Sequence, residues 1–277
     1  MATRLKSLAQ AIKLEADSKS LPELFEHTYY KTVMATNPPR IPKVDMFSPS
    51  SLGKCSREIF YRIHGTEPEP STTPVLLKGS WTAITDTGTD RHERIQGTLT
   101  QMYAQGMDIT WIDVGRYIFE KKPEGTSVVE RQGMETKLLS TILSARFLCD
   151  GIVIIDGKYY LIEIKTMNER KWSKAKQSRD ILPQHFTQGV AYSVATGINN
   201  ILYIYENRNN SQIAVYEKFI SPTNKKAVLK KIKDIQEYKK IEKIPPKTTD
   251  ITKCTYCEYK NKCVIDGYTP PLFEEES

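Results

Sequence analysis

Apolar positions along the chain switch between two periods, and each switch marks an element. Leu5, Leu8 and Ile12, then Leu21, Leu24 and Phe25, recur at helical spacing and predict a helical region over 4–36. Asn37-Pro38-Pro39-Arg40-Ile41-Pro42 breaks it. Ser48-Pro49-Ser50-Ser51 has the composition of an N-cap and predicts a helix through Cys55, Ile59 and Phe60. Glu67-Pro68-Glu69-Pro70-Ser71-Thr72-Thr73-Pro74 reads as a linker, and a helix containing His92 is predicted from Thr85 to Tyr103. Strand patterning follows near 112–119, 127–131, 139–156 and 158–165. A helix over 180–196 buries Ile181, Val190 and Val194, and strands cover Ile201–Tyr205 and Gln212–Tyr216. A lysine-rich amphipathic helix closes the series over 222–241, with Leu229, Ile232, Ile235 and Tyr238 as its buried stripe. Strands flanked by helices on this plan give an α/β domain with a mixed central sheet. The divisions expected are a helical N-terminal region (1–45), a helix with a Pro-rich linker (46–84), a core (85–221) and a C-terminal helix with a cysteine lobe (222–277).

One hairpin carries chemistry. Asp156-Gly157 is a strong two-residue turn signal, because both central positions need φ > 0. With Ile155 facing Lys158, counting outward sets Asp150 opposite Glu163. A three-residue loop would instead make that contact diagonal. Two carboxylates directly across a strand pair repel each other. On the second strand Glu163 and Lys165 share a face, while Ile162 and Ile164 point the other way. Gly151-Ile152-Val153-Ile154-Ile155 is apolar on both faces, as in an interior strand. Charges embedded there are costly unless paired or bound to metal, so a divalent cation between the carboxylates would turn a cost into a ligand set.

Composition narrows the setting. The 277 residues, 39% hydrophobic and 26% charged, are ordinary for a globular chain. The formal net charge of +7 favours a polyanionic partner. No apolar run reaches membrane-helix length and no signal-peptide core is visible, so the expected setting is cytoplasmic, with no membrane partner. Of five cysteines, Cys254, Cys257 and Cys263 form a C-x2-C-x5-C array, which in a reducing compartment points to metal and not to disulfides. Cys149 falls inside the carboxylate hairpin, which leaves Cys55 as the candidate fourth ligand. Four cysteines suit either an iron–sulfur cluster or structural zinc.

Weaker signals flank the hairpin. Gln184, Gln188 and Tyr192 share one helix face, and Gln188 could orient a metal-bound water or a phosphate while Tyr192 lies near substrate. Gly88-Thr89-Asp90-Arg91-His92 offers an imidazole as a further ligand, which favours manganese-type ions alongside magnesium. The segment 168–179 carries Lys171, Trp172, Lys174, Lys176 and Arg179, suited to phosphate neutralisation and base stacking on DNA, or equally to a solvated basic loop.

In their order, Gly88 with His92, Asp150, Glu163 with Lys165, and Gln188 with Tyr192 resemble the RecB-type branch of the PD-(D/E)XK nuclease superfamily. One cysteine before this core and C-x2-C-x5-C after it look like its iron–sulfur subgroup, to which the CRISPR-adaptation exonuclease and the AddB nuclease domain belong. The resemblance covers about residues 50–265. It implies a restriction-endonuclease-like core and a Mg2+- or Mn2+-dependent deoxyribonuclease, an exonuclease on DNA ends or single strands. It further implies that His92, Asp150, Glu163 and the main-chain carbonyl of Ile164 bind the metal and that Lys165 positions the attacking water. Cys55, Cys254, Cys257 and Cys263 would hold a [4Fe–4S] cluster in preference to zinc. Cys149 stands where relatives often carry glycine or proline, and the N-terminal forty-odd residues have no counterpart and could serve a protein partner. The competing readings are a non-catalytic DNA-binding subunit with a structural cysteine-bound metal, and a zinc protein acting on RNA.

Overall fold

The computed structural model describes residues 20–36, 44–70 and 73–267. The helical turns expected over 4–19, the break at 37–42 and Ser71 and Thr72 of the linker lie outside them. In chain order, helix α1 spans Leu21–Thr36, α2 Ser56–Ile63 and α3 Val75–Leu99. Strand β1 (Ile109–Ile112) leads to α4 (Val114–Lys121), then to β2 (Thr126–Gln132), β3 (Glu135–Ser140), β4 (Ala145–Cys149), β5 (Gly151–Ile155) and β6 (Lys158–Met167). Helices α5 (Glu169–Ser178) and α6 (Pro183–Thr196) carry the chain to β7 (Asn200–Asn207) and β8 (Ile213–Phe219). Helix α7 (Pro222–Lys240) and the short α8 (Lys260–Ile265) end the described part.

The chain divides into two compact units, residues up to Ile41 with Pro70–Asp90, and Pro42–Glu69 with Arg91–Ser277. In the first, Gly79 on α3 lets Tyr30 of α1 approach so closely that a Cβ there would fall 2.3 Å from Tyr30 Cβ.

The second unit holds both sheets. Five strands run in the order β1-β5-β6-β7-β8, and only β6 and β7 are parallel, so the sheet is mixed. The parallel step needs a crossover, which α5 and α6 supply. Strands β2, β3 and β4 form a separate antiparallel sheet. Two tight turns set the registers. Asp156 (φ 46°) and Gly157 (φ 75°) both occupy the left-handed region, and Ile155 pairs with Lys158. Gly133 (φ 58°) opens the turn that pairs Gln132 with Glu135.

Side chains of β6 alternate between two apolar clusters. Leu161 and Met167 join Val190, Ala191 and Ala195 of α6 and Val228, Ile232 and Ile235 of α7. Ile162 and Ile164 join Ile95 and Leu99 of α3 on the opposite face. Helices therefore cover both faces of a mixed central sheet, as the hydrophobic pattern predicts. Among the described residues no helix is long and apolar enough to cross a membrane.

Several elements differ from expectation. Strand β1 ends at Ile112, and the Asp113 side chain accepts a hydrogen bond from the Arg116 main-chain N–H, capping α4 where a strand was expected to 119. The stretch 139–156 is three pieces, because Thr141–Ser144 turns the chain and Asp150 interrupts the ladder. The helix bearing His92 starts at Val75, directly after Pro74, and ends at Leu99. Ser48 precedes only a 3-10 turn at Pro49–Ser51, and Cys55 itself is the N-cap of α2. The basic segment 168–179 is no loop: Asn168 caps helix α5. Trp172 corrects the stacking expectation, since it is 4% exposed, its indole N–H donates to Tyr205 O at 3.3 Å, and Lys176 Nζ covers its ring at 4.7 Å.

Gly189 in mid-α6 is needed for packing on β7. An added Cβ would lie 2.0 Å from the buried Tyr203 hydroxyl and 2.7 Å from Ile201 Cδ1. Gly189→Ala should therefore cost about 1–3 kcal/mol by overpacking, despite alanine's better helix propensity. Thermal unfolding should show a lower Tm for Gly189→Ala and partial recovery in Gly189→Ala/Tyr203→Phe, which removes the clashing oxygen.

Candidate metal centre

Asp150 is the single residue between β4 and β5, so it continues the ladders of both sheets. Thr136 pairs with Cys149, and one step further sets Glu135 opposite Asp150. Gly151 pairs with Ile162, and one step back sets Glu163 opposite Asp150 from the other side. Three carboxylates thus converge through backbone register alone. Asp150 is fixed by its own acceptors: Oδ2 takes the Ile164 N–H at 2.8 Å, and its main-chain carbonyl takes Gln96 Nε2–H at 2.6 Å.

Helix α3 brings the imidazole. His92 lies one turn before Gln96, with Nδ1 3.3 Å from Glu135 Oε1 and 3.8 Å from Asp150 Oδ2. Arg91 and Arg94 flank His92 and both reach the fully buried Glu206 of β7, at 2.9 and 2.6 Å, which fixes the helix against the sheet. Among the described residues, His92, Glu135 and Asp150 form the one group whose donor atoms all lie within 4.8 Å of one another. One nitrogen and hard carboxylate oxygens suit a divalent cation of the magnesium–manganese type.

Glu163 is not in that group. It is 0% exposed, and Lys165 Nζ lies 2.5 Å from its Oε1 as an ion pair. Its other carboxylate oxygen, Oε2, has no hydrogen-bond partner. Burial, with the charge of Asp150 added, pushes Glu163 up to about 7 against the pull of Lys165. Burial also raises Asp150, with Glu135 adding to the shift and His92 and Lys165 opposing it. For His92, burial works downward, but the hydrogen bond to Glu135 and the charges of Asp150 and Glu135 leave it above the ordinary imidazole value. These directions describe a pocket short of positive charge.

Other expected residues separate into near and far. Gln188 and Tyr192 are buried together: Gln188 Nε2–H donates to the Tyr192 hydroxyl at 2.8 Å, and that hydroxyl donates to Leu148 O at 3.0 Å. Burial raises Tyr192 well above its ordinary value, and the charges of Glu163 and Asp150 add to the shift, so the carboxylates lie within its electrostatic reach. Lys171, Lys174, Lys176 and Arg179 are exposed on α5 and at its C-cap. Cys55 heads α2, Cys254 ends a 3-10 turn, Cys257 follows it, and Cys263 lies in α8. Burial pushes the Cys257 thiol up to about 11, with Glu58, Cys55 and Cys254 adding to the shift. Cys263 Sγ lies 3.7 Å from Arg57 Nη1.

Glu135 went unmarked in the sequence. The signal that would have found it is the register rule used for Asp156-Gly157, applied to the Thr141–Ser144 turn and counted outward along β3 and β4.

No family profile matches the chain, and no curated protein matches it. Solved structures similar to it include the crystal structure of SSO0001, with TM-score 0.46, 16% identity, and coverage of 90% of this chain and 98% of that one. LHK-Exo, an alkaline exonuclease from Laribacter hongkongensis, has TM-score 0.38 and 14% identity over 76% of this chain and 93% of its own. LHK-Exo in complex with dAMP gives 0.36 and 16% over 70% and 91%.

The raised Glu163 carboxyl has a pH signature. Its folded value lies above the ordinary 4.5, so the native state holds this proton more tightly, and the metal-free protein loses stability as pH rises from 4.5 through about 7. Glu163→Gln removes that term. In metal-free protein at pH 8 the variant should be more stable by about 1–3 kcal/mol, with Lys165's lost partner limiting the gain. Below pH 4.5 the difference should vanish, and saturating Mn2+ should narrow it at pH 8 by stabilising the wild type more; denaturant melts at several pH values check both.

Proposed function

We propose that this protein is a metal-dependent DNA nuclease that hydrolyses phosphodiesters, acting as an exonuclease on DNA ends or single strands. One observation carries the reading. A fully buried carboxylate, Glu163, pairs with Lys165, keeps its Oε2 without a hydrogen-bond partner, and stands opposite Asp150, whose other neighbour is the His92–Glu135 pair. Such a set is costly in the folded protein unless a cation completes it. His92, Glu135, Asp150 and Glu163, with the main-chain carbonyl of Ile164, would hold Mg2+ or Mn2+. Bound there, the ion would lower the pKa of a coordinated water and offset the charge of the phosphodiester.

The chain's own residues supply the rest. Lys165, anchored by Glu163, presents an ammonium that can hydrogen-bond a phosphate oxygen gaining charge and hold the attacking water in line. Gln188 and Tyr192 act as positioning residues, because their hydrogen-bond chain ends on the Leu148 carbonyl two residues before Asp150. Lys171, Lys174, Lys176 and Arg179 project from the helix that directly follows β6 and would neutralise backbone phosphates. Trp172 is left out of that set by its burial. Cys55, Cys254, Cys257 and Cys263 would hold a [4Fe–4S] cluster, with zinc as the second choice. Four free thiols from a helix cap and the C-terminal lobe are the donor set that either requires. The N-terminal region, 1–45, is assigned to contact with a protein partner.

The test is cleavage of end-labelled single- and double-stranded DNA with Mn2+. Asp150→Ala and Lys165→Ala should keep their circular dichroism and lose about 100-fold or more of the rate. Glu135→Gln should instead raise the Mn2+ concentration needed for half-maximal rate, by about 10-fold or more. Undiminished cleavage by folded Asp150→Ala would reject the assignment. DNA binding with no metal-stimulated cleavage of any substrate would favour a non-catalytic subunit.

A further inference from the structure

The strongest unexplained cluster lies away from the carboxylates, around the cysteines. Arg57 is 1% exposed, an unusual place for a guanidinium. It sits two residues after Cys55 and reaches into the C-terminal lobe. Nε–H donates to Pro245 O at 2.6 Å, and Nη1–H donates to Gly267 O at 2.8 Å and more weakly to Cys263 O at 3.4 Å. The same Nη1 lies 3.7 Å from Cys263 Sγ, within range of an N–H···S hydrogen bond. The planar fork thus fixes the backbone on both sides of Cys263 and touches its sulfur.

A second cation holds the opposite end. Lys231 of α7 is largely buried, and its ammonium donates to Leu52 O at 2.7 Å and Lys54 O at 2.6 Å. Those carbonyls belong to the turn that presents Cys55. Both partners are neutral, and burial, with the charge of Lys253 adding, pulls Lys231 down to about 8, a shift that the Cys55 thiol opposes.

We propose that Arg57 and Lys231 are positioning residues of the four-cysteine centre, Arg57 by its N–H···S bond to Cys263 and Lys231 by fixing the turn that carries Cys55. The inference rests on the reading that these four cysteines bind one metal centre. Four thiolates around zinc or an iron–sulfur cluster leave a net negative charge, and nearby cations with N–H donors to sulfur stabilise it. For a cluster, the same two features stabilise the reduced form more than the oxidised one, because reduction adds negative charge. The polar contacts that tie the lobe elsewhere do not touch sulfur. Tyr61 O–H donates to Asp266 Oδ2 at 2.6 Å, and Arg62 Nη2 pairs with Glu258 Oε2 at 2.7 Å. Tyr61→Phe is therefore the control for a merely structural role.

The experiment uses the full-length chain purified without oxygen. Iron, sulfide and zinc are quantified, metal loss to a chelator is timed, and a cluster's potential is measured by electron paramagnetic resonance during a redox titration. Arg57→Met and Lys231→Met should lose metal about 10-fold faster than wild type or more. Arg57→Lys, which keeps the charge but not the fork, should fall between and serves if Arg57→Met does not fold. In a cluster-loaded protein, Arg57→Met should shift the oxidised-to-reduced balance about tenfold toward oxidised, about 59 mV more negative for one electron. In a zinc-loaded protein the chelation rates alone decide. Matching rates and potentials in Arg57→Met and Tyr61→Phe would overturn the proposal while leaving the cysteine centre standing. Wild-type protein free of iron, sulfide and zinc would remove the centre and the proposal together, without touching the carboxylate site.

Discussion

A buried carboxylate flanked by two others is held in place by strand register, and that repulsion is the constraint on which this architecture turns. Asp150 continues two ladders at once, so backbone hydrogen bonding leaves Glu135 and Glu163 no freedom to move apart from it. Like charges held on facing positions in a low-dielectric interior repel one another more strongly than they would in water. The fold answers with cations on both sides, His92 from α3 at one end of the row and Lys165 from β6 at the other. The answer is incomplete, as Glu163 Oε2, buried without a hydrogen-bond partner, records. A site that remains short of positive charge after its own imidazole and ammonium are in place can accept a further cation.

That incompleteness demands rigid support, because a pocket free to relax would open to water. The support is polar and comes from both faces of the sheet. Gln96 clamps the Asp150 carbonyl from α3, while Glu206 gathers Arg91 and Arg94 on either side of His92. From the other face Tyr192 holds the Leu148 carbonyl and stacks on Phe147 with ring centroids 5.0 Å apart. Each anchor ends on a main-chain carbonyl or a buried carboxylate, so each carries a desolvation cost if broken. Residues that look like extra catalytic groups by type are, by their partners, mostly the frame around them.

How much of this could be read from the chain depends on where the turn chemistry is explicit. Asp156-Gly157 announces its type, so the Asp150–Glu163 pairing and the face shared with Lys165 follow from counting. Glu135 is reached only through the four-residue loop between Ser140 and Ala145, which has no diagnostic composition. Helix α4 was hidden for the opposite reason: eight residues wedged between strands give too short a window for periodicity. Its real mark was Asp113 as a cap, with Val114, Tyr117 and Ile118 buried at helical spacing. Trp172 misled because tryptophan among lysines suggests a surface, whereas α5 turns that side chain inward to pair with Tyr205 and leaves the lysines outside. Local chemistry was legible where it fixed φ. Orientation set by tertiary packing was not.

Cys149 shows how one chain can carry two kinds of metal donor without confusing them. It immediately precedes Asp150 and is fully buried in the apolar core. Burial, with the charge of Asp150 added, pushes its thiol up, and its Sγ rests 3.9 Å from Gly151 O. A protonated thiol facing hydrocarbon is a poor ligand, so the soft sulfur nearest the carboxylates does not compete for a cation there. The four cysteines proposed for the other centre lie instead at a helix cap and on the C-terminal lobe, where Arg57 Nη1 approaches Cys263 Sγ. The sulfur nearest the carboxylates is therefore set apart from them by its environment and not by distance along the chain.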